Sequence, residues 1–228
     1  MNADAARPER GVLGGARGVL VGHADDAVAR AALLAVAGAA LYGAAMGTFS
    51  VTEPARAWFV VFAAVKTPML LAITTLVCLP GYAALMVAAG LRRDLRGAVA
   101  RLVASQASGA VVLASLAPVV LVLYTGVGSH ARAILVNAGA FALAAAAGQV
   151  VAWRLFRPLV RRSRRHMALL AFWFIAYAFV GVQLGWTLRP FVGTPGTKVQ
   201  FFREEAFTNA YVAVARIARD AATPRELY

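Results

Sequence analysis

The sequence predicts an all-α protein, a polytopic transmembrane helix bundle of about five spans with a C-terminal amphipathic segment at the membrane interface. Hydrophobic residues fill 61% of the 228 positions, charged residues only 14%, and the mean hydropathy is +0.70. Soluble domains carry about 25% charged residues, so this composition excludes that class. The apolar residues also gather into stretches of about 20, the length that crosses a bilayer as a helix.

Five stretches are predicted to form the transmembrane bundle, which covers residues 31–190. The spans are approximately 31–51, 57–79, 98–124, 131–153 and 168–188. Residues 1–30 lack the apolar core and cleavage site of a secretory signal, so we expect a cytoplasmic N-terminal leader. Residues 80–90 are apolar but too short to cross alone, which predicts a kinked continuation of the second span or a re-entrant turn. A sixth span is the competing topology.

Basic residues alternate between connections. Most of them occur in three places: before the first span, between the second and third spans, and between the fourth and fifth spans. These residues are Arg7, Arg10, Arg17, Arg30, Arg92, Arg93, Arg96, Arg101, Arg154, Arg157, Arg161, Arg162, Arg164 and Arg165. The other connections carry only Arg56 and Arg132. The positive-inside rule then predicts a cytoplasmic N-terminus and an external C-terminus. The net charge of +13 is therefore attributed to orientation and to anionic lipids at the cytoplasmic face, and nucleic-acid binding is not expected.

Lys66 is the most informative residue, because it lies inside the second span. If that span begins near residue 57, the ammonium is roughly 14 Å deep in a hydrocarbon layer about 30 Å thick. A charge at this depth is a candidate functional site by default. The sequence offers no carboxylate at similar depth. The alternative is that the side chain snorkels to the interface or to a water defect.

A few other polar residues lie in the spans. The candidate polar core, or ligand site, is Lys66, Thr67, Asn137 and Gln183. Amides in hydrocarbon need partners, so these side chains are expected to cross-link helices or, with Lys66, to line one polar pocket. Further polar positions are Thr74, Thr75, Gln106, Ser115 and Gln149.

Prolines and glycines suggest how the helices bend and pack. Pro68 and Pro118 each free a carbonyl within a span, which predicts either a packing kink or an ion site, and the carbonyls one turn before Pro68 are candidate acceptors for Lys66. Gly43-x-x-x-Gly47 and Gly181-x-x-x-Gly185 are expected to form internal packing faces, with homodimer contacts as the alternative.

The C-terminal tail, residues 191–228, differs in composition from the spans. Aromatic residues recur beside charges, as is typical of the membrane interface, and an amphipathic helix is expected over about 203–219. Glu204 and Glu205 are candidate counter-ions for Arg189 or Lys66, and a solvated helix face is the alternative. The tail candidates are Trp186, Arg189, Phe191, Arg203, Glu204 and Glu205.

Enzyme signatures are weak. Glu204-Glu205 resembles the start of an intramembrane endopeptidase motif but lacks its arginine, and Ser129-His130 are adjacent in a loop, whereas catalytic partners converge from separate elements. The lone Cys78 and the scattered histidines do not have metal-ligand spacing. We therefore expect no catalytic residues, no metal and no cofactor.

Several short motifs carry a family resemblance. They are Lys66-Thr-Pro68, Thr75-Leu-Val-Cys-Leu-Pro80, Ser115-Leu-Ala-Pro118, Leu135-Val-Asn137, Gln183-Leu-Gly-Trp186-Thr-Leu-Arg-Pro-Phe191, Phe201-Phe-Arg203 and Asn209. Together, over about residues 57–212, they resemble an uncharacterised family of bacterial multi-pass membrane proteins, which supplies no activity to carry over. The five-span layout is more distantly similar to Yip-type (Ypt-interacting) membrane proteins, whose eukaryotic members are non-enzymatic organisers of vesicle membranes.

Two functions follow as hypotheses. The first is a non-enzymatic integral membrane protein, a scaffold or accessory subunit whose partners are the lipid bilayer and other membrane proteins or a second copy of the chain. Because arginine supplies all basic residues except Lys66 and Lys198, and alanine dominates the spans, a GC-rich bacterial gene and the bacterial inner membrane are expected. The alternative is a small oligomeric transporter or channel with an anion or lipid-headgroup site at Lys66.

Overall fold

The computed structural model describes residues 9–126, 128–193 and 199–202, with side chains from residue 26 onward. These residues form five long helices and no strand: α1 (Glu9–Thr48), α2 (Trp58–Ala88), α3 (Leu95–Gly126), α4 (His130–Arg162) and α5 (Arg165–Thr187). All five are long and apolar enough to cross a membrane. The predicted all-α fold with five spans is confirmed.

Short connections make successive helices antiparallel, so the bundle has two distinct ends. At one end α1, α3 and α5 finish and α2 and α4 begin; we call it the lysine end, because Lys66 lies in the first part of α2. At the other, which we call the arginine end, α2 and α4 finish and α3 and α5 begin. The first helix is continuous from Glu9, so residues 9–30 of the expected leader extend the first span as helix.

The second helix continues without interruption through Pro68 and Pro80. Residues 80–88, whose status the sequence left open, belong to it as a helical continuation. The helix ends at Ala88, and Gly90 follows it with a φ of +75°, which suits a residue without Cβ. The amide of Leu91 donates to the Met86 carbonyl and that of Gly90 to the Val87 carbonyl, both at 2.9 Å, which is the Schellman pattern of a helix C-terminus.

Two apolar core clusters stabilise opposite ends of the bundle. The lysine-end cluster contains Tyr42, Ala45, Met46, Ala63, Leu113, Ala117, Val120, Ala140, Ala144 and Val192. The arginine-end cluster contains Cys78, Tyr82, Met86, Ala98, Leu102, Ala152, Phe156, Leu159, Leu169, Leu170 and Trp173. The lone cysteine is thus one of the buried apolar groups of the arginine-end core.

The two glycine motifs differ in how closely they pack. A Cβ on Gly47 would lie 2.6 Å from the Phe59 carbonyl oxygen, so this glycine allows α1 to approach the α2 backbone. A Cβ on Gly181 would have ordinary contact with α2, at 3.7 Å, and one on Gly185 would meet nothing within 4 Å among the described residues. Of these two motifs, the first therefore mediates close helix packing.

Candidate functional site

Lys66 lies in the interior of the bundle, and its side chain is completely shielded, with 0% of its surface exposed. It is the ninth residue of α2, about 12 Å along the helix at 1.5 Å per residue. Cα–Cβ bonds tilt towards the helix N-terminus, and α2 begins at the lysine end, so a long side chain is directed to that end.

The ammonium of Lys66 meets backbone carbonyls and aromatic rings. Its Nζ donates to the Pro190 carbonyl at 3.0 Å and to the Phe201 carbonyl. The same atom lies 4.6 Å from the centre of the Phe201 ring and 5.6 Å from that of Phe202. Charge-assisted hydrogen bonds and cation–π contacts both stabilise an ammonium, and within the described residues they take the place of a carboxylate counter-ion.

The acceptors belong to a chain segment that folds back across the lysine end. We call residues 188–193 and 199–202 the C-terminal segment. Within it, Leu188 and Val192 are buried, and the amide of Gly193 donates to Ser50 Oγ at 2.7 Å. A Cβ on Gly193 would lie 2.5 Å from Phe59 Cζ, so the segment rests directly on that ring. Lys66 is thus one of several attachments of this segment to α1 and α2.

The location of these acceptors differs from the sequence expectation. The carbonyls one turn before Pro68 were candidates, whereas the acceptors lie 124 and 135 residues further along the chain. The Lys66 side chain points towards the lysine end, which is the direction that the snorkelling alternative requires. Its ammonium contacts protein groups there. Arg203, Glu204, Glu205 and the helix expected over 203–219 lie outside the described residues.

Asn137 forms a separate hydrogen-bonded cluster near the same end of the bundle. Its Oδ1 accepts from the Tyr42 hydroxyl at 2.8 Å, and its Nδ2 donates to the Tyr124 hydroxyl at 2.6 Å and to the Ala133 carbonyl at 2.7 Å. This amide therefore joins α1, α3 and α4. It cross-links helices, as expected for a buried amide in hydrocarbon.

The remaining polar-core candidates lie in other environments. The hydroxyl of Thr67 donates to the Ala63 carbonyl of its own helix at 2.9 Å and faces the backbone at Gly43. The backbone carbonyl of Gln183 accepts from the Thr187 hydroxyl at 3.0 Å near the end of α5. Lys66, Thr67 and Asn137 have different hydrogen-bond partners, so the structure distributes these residues over three local contacts.

Aromatic residues surround the outside of the Lys66 site. The rings of Trp58, Phe62, Phe201 and Phe202 form a continuous series with centroid separations of 6.1, 5.2 and 4.8 Å. The guanidinium of Arg189 lies 3.4 Å from the centre of the Trp186 ring, and Phe191 packs against the lysine-end cluster. Such aromatic and basic groups suit a membrane interface.

Sequence reasoning missed a polar cluster at the arginine end. Asp94 lies 3.1 Å from His166 Nε2 and 3.3 Å from Arg162 Nη1, and it ties the α2–α3 connection to the junction of α4 and α5. The His166 side chain is fully buried. Because 72 residues separate Asp94 from His166, no local spacing signals the pair. The described part of the chain contains no group of three side chains able to hold a metal.

Comparison with family models, curated proteins and solved structures gave no match to this chain. The resemblance to a bacterial multi-pass family, and the more distant one to Yip-type proteins, stay predictions from the sequence.

Proposed function

We propose that this chain is a non-enzymatic integral membrane protein, a scaffold or accessory subunit of the bacterial inner membrane. The observation that carries this proposal is the saturation of Lys66 by the chain itself. Its ammonium is buried against the Pro190 and Phe201 carbonyls, and its role is to attach the C-terminal segment to the bundle.

The energetics of a buried charge favour an internal role. Removing an ammonium from water costs several kcal/mol, and this cost is offset only when good acceptors are fixed around it. An anion arriving at Lys66 would have to displace two carbonyl acceptors and two aromatic faces. The transporter or channel alternative therefore requires the C-terminal segment to leave its position, and no contact within residues 188–193 and 199–202 favours that state.

Orientation follows from the charges at the arginine end. Nine arginines there are exposed: Arg92, Arg93, Arg96, Arg154, Arg157, Arg161, Arg162, Arg164 and Arg165. We assign this end to the cytoplasm, where such residues meet anionic headgroups and each contributes about 1 kcal/mol of attraction. The lysine end, with the C-terminal segment, then faces the outside.

The attached C-terminal segment supplies the surface for partners. Phe202 is 47% exposed and Trp58 59% exposed, and the two rings lie at opposite ends of one aromatic series. Aromatic groups are enriched where protein surfaces bind one another, so this face is our candidate contact with other membrane proteins or a second copy of the chain. In this scheme Lys66 holds the face in place.

The test compares wild type with Lys66→Met and, as a matched control, Thr67→Val. In the first assay, each protein is reconstituted in liposomes and the flux of chloride and phosphate is measured. In the second, a photoreactive residue replaces Phe202, each protein is cross-linked in its native membrane, and the specific adducts are counted. We expect no flux above empty vesicles in any sample, and adducts that are lost in Lys66→Met but kept in Thr67→Val. Flux that depends on Lys66 would replace the scaffold proposal by the transporter alternative.

A further inference from the structure

A cavity of about 360 Å³ lies between the two core clusters, at mid-length of the helices. Residues of α2, α3, α4 and α5 form its walls. Ala142 and Ala145 of α4 and Ala178 of α5 line it and are also exposed, so the cavity opens sideways into the surrounding membrane. A ligand can therefore enter from the bilayer without passing through water.

Small residues create this space. A Cβ on Gly109 would lie 3.1 Å from the Ala144 carbonyl oxygen, and one on Gly148 would lie 3.2 Å from that of Ser105, so α3 and α4 cross in close contact beside the cavity. The fifth helix meets α4 through Phe156, Leu170 and other members of the arginine-end cluster. Beyond that cluster, glycine and alanine residues leave the volume between the helices unfilled.

Two glutamines give the cavity its polarity. Gln106 and Gln149 line it from α3 and α4, and neither side chain has a hydrogen-bond partner within the part of the chain that the structure describes. The hydroxyls of the wall all have partners, since Thr74 donates to Leu70 and Ser105 to Leu102 within their own helices, and Tyr177 donates to the Leu71 carbonyl of α2 at 3.4 Å. Gln149 is exposed and Gln106 is half-buried, and because amides without partners in hydrocarbon are costly, both are available for a ligand.

The depth of the two amides restricts that ligand. Gln106 lies about 17 Å from the start of α3 and Gln149 about 20 Å from the end of α4 at 1.5 Å per residue, near the middle of the membrane. Charged phospholipid headgroups stay at the interface, and none of the described wall residues is charged. The bound polar group must therefore be uncharged and belong to a molecule that is soluble in the hydrocarbon layer.

Aromatic walls indicate the shape of the ligand. Phe141, Trp173, Phe174 and Tyr177 line the cavity, and the rings of Trp173 and Tyr177 are 5.5 Å apart between centroids. Such faces favour a flat ring over a flexible chain. The volume equals about twelve water molecules, at about 30 Å³ each, which accommodates one substituted ring.

We propose that this cavity binds an isoprenoid quinone, with the ring between the aromatic walls and its carbonyl oxygens accepting hydrogen bonds from Gln106 and Gln149. A quinone is neutral, resides within the hydrocarbon layer, and carries acceptors but no donors. An acyl chain would fill the space but leave both amides without partners. This binding site is independent of the attachment made by Lys66 and of the scaffold proposal.

The test uses Trp173 as an optical reporter. The other tryptophans are replaced (Trp58→Phe, Trp153→Phe, Trp186→Phe), the protein is placed in nanodiscs, and decylubiquinone is titrated while Trp173 fluorescence is followed. We expect saturable quenching. Each amide is expected to contribute about 1 kcal/mol to binding. The apparent Kd should therefore rise about fivefold for Gln149→Leu and about 30-fold for the double variant Gln106→Leu/Gln149→Leu.

Neighbouring positions on α4 provide a matched control. Ala145 lines the cavity, whereas Ala146 is exposed and is not part of the wall, so Ala145→Phe is expected to abolish saturable quenching and Ala146→Phe to leave it unchanged. Decan-1-ol serves as a competitor that has a chain but no ring. The proposal is overturned if quenching never saturates or if Ala145→Phe leaves it unchanged. It is also overturned if decan-1-ol abolishes quenching at equal concentration, a result that would assign the cavity to acyl chains.

Discussion

Replacing Lys66 by Met tests what holds the C-terminal segment in place. Methionine keeps the length and apolar character of the lysine stem, so the interior of α2 stays filled. The substitution removes the donor of two hydrogen bonds, to the Pro190 and Phe201 carbonyls, and the cation over the Phe201 ring. We expect the bundle to fold while the segment detaches more often.

The size of the effect can be worked out from these contacts. A hydrogen bond to a charged group contributes about 1.5–3 kcal/mol, so two contribute about 3–6 kcal/mol, and the cation–π contact adds about 0.5–2 kcal/mol. Water reaches the ammonium of wild type when the segment leaves, which offsets part of this sum. Taking about 3 kcal/mol as the net change, the open population rises about 100-fold.

The assay measures opening through a buried thiol. Val192 is 8% exposed and belongs to the lysine-end cluster, so Val192→Cys in a Cys78→Ala background reacts with a water-soluble maleimide only when the segment opens. We expect the labelling rate to rise about 100-fold on adding Lys66→Met. Thr67→Val is the control, because Thr67 is equally buried and bonds only within α2. Equal rates in all three proteins would refute attachment through Lys66.

Three further predictions concern stability in mild detergent. Gly47→Val forces a Cβ against the α2 backbone and is expected to lower the free energy of unfolding by about 1–3 kcal/mol. Gly185→Val, at an open position, is expected to change it little. Thermal unfolding of the matched pair would show the difference. Asn137→Leu removes hydrogen bonds to two tyrosines and is expected to cost about 1–2 kcal/mol in denaturant unfolding, and an unchanged midpoint would contradict the cross-link. Asp94→Ala leaves the buried His166 imidazole without its carboxylate and is expected to lower the free energy of unfolding by about 1–3 kcal/mol. Arg162→Ala removes an exposed partner of Asp94 and is expected to lower it by less than about 1 kcal/mol. Equal losses for the two variants would contradict this ranking.

The sequence predicts the fold well, because the bilayer imposes strong rules. Span length and composition require about five helices, and the described residues form five. Residues 80–88 were ambiguous because Pro80 permits either a break or a continuation, and only packing decides between them. Of the two glycine motifs, which look alike in sequence, Gly43 and Gly47 face a neighbouring backbone and Gly185 does not.

The candidate site was predicted only in part. Lys66 stands out in the sequence, but its acceptors are main-chain carbonyls, which every residue has, so no residue type signals them. The association of Asp94 with His166 depends on how two connections meet at the arginine end, and the cavity depends on gaps between four helices. Information of this kind resides in tertiary packing and cannot be read from local spacing.

The most direct test of the central claim is a density map of the full chain in lipid nanodiscs, resolved well enough to place main-chain carbonyls around Lys66 Nζ. We expect the Pro190 and Phe201 carbonyl oxygens within hydrogen-bonding distance and the Phe201 ring over the ammonium. A water-filled opening or a bound anion at Lys66, with the C-terminal segment elsewhere, would contradict the internal role of this lysine and favour the transporter alternative.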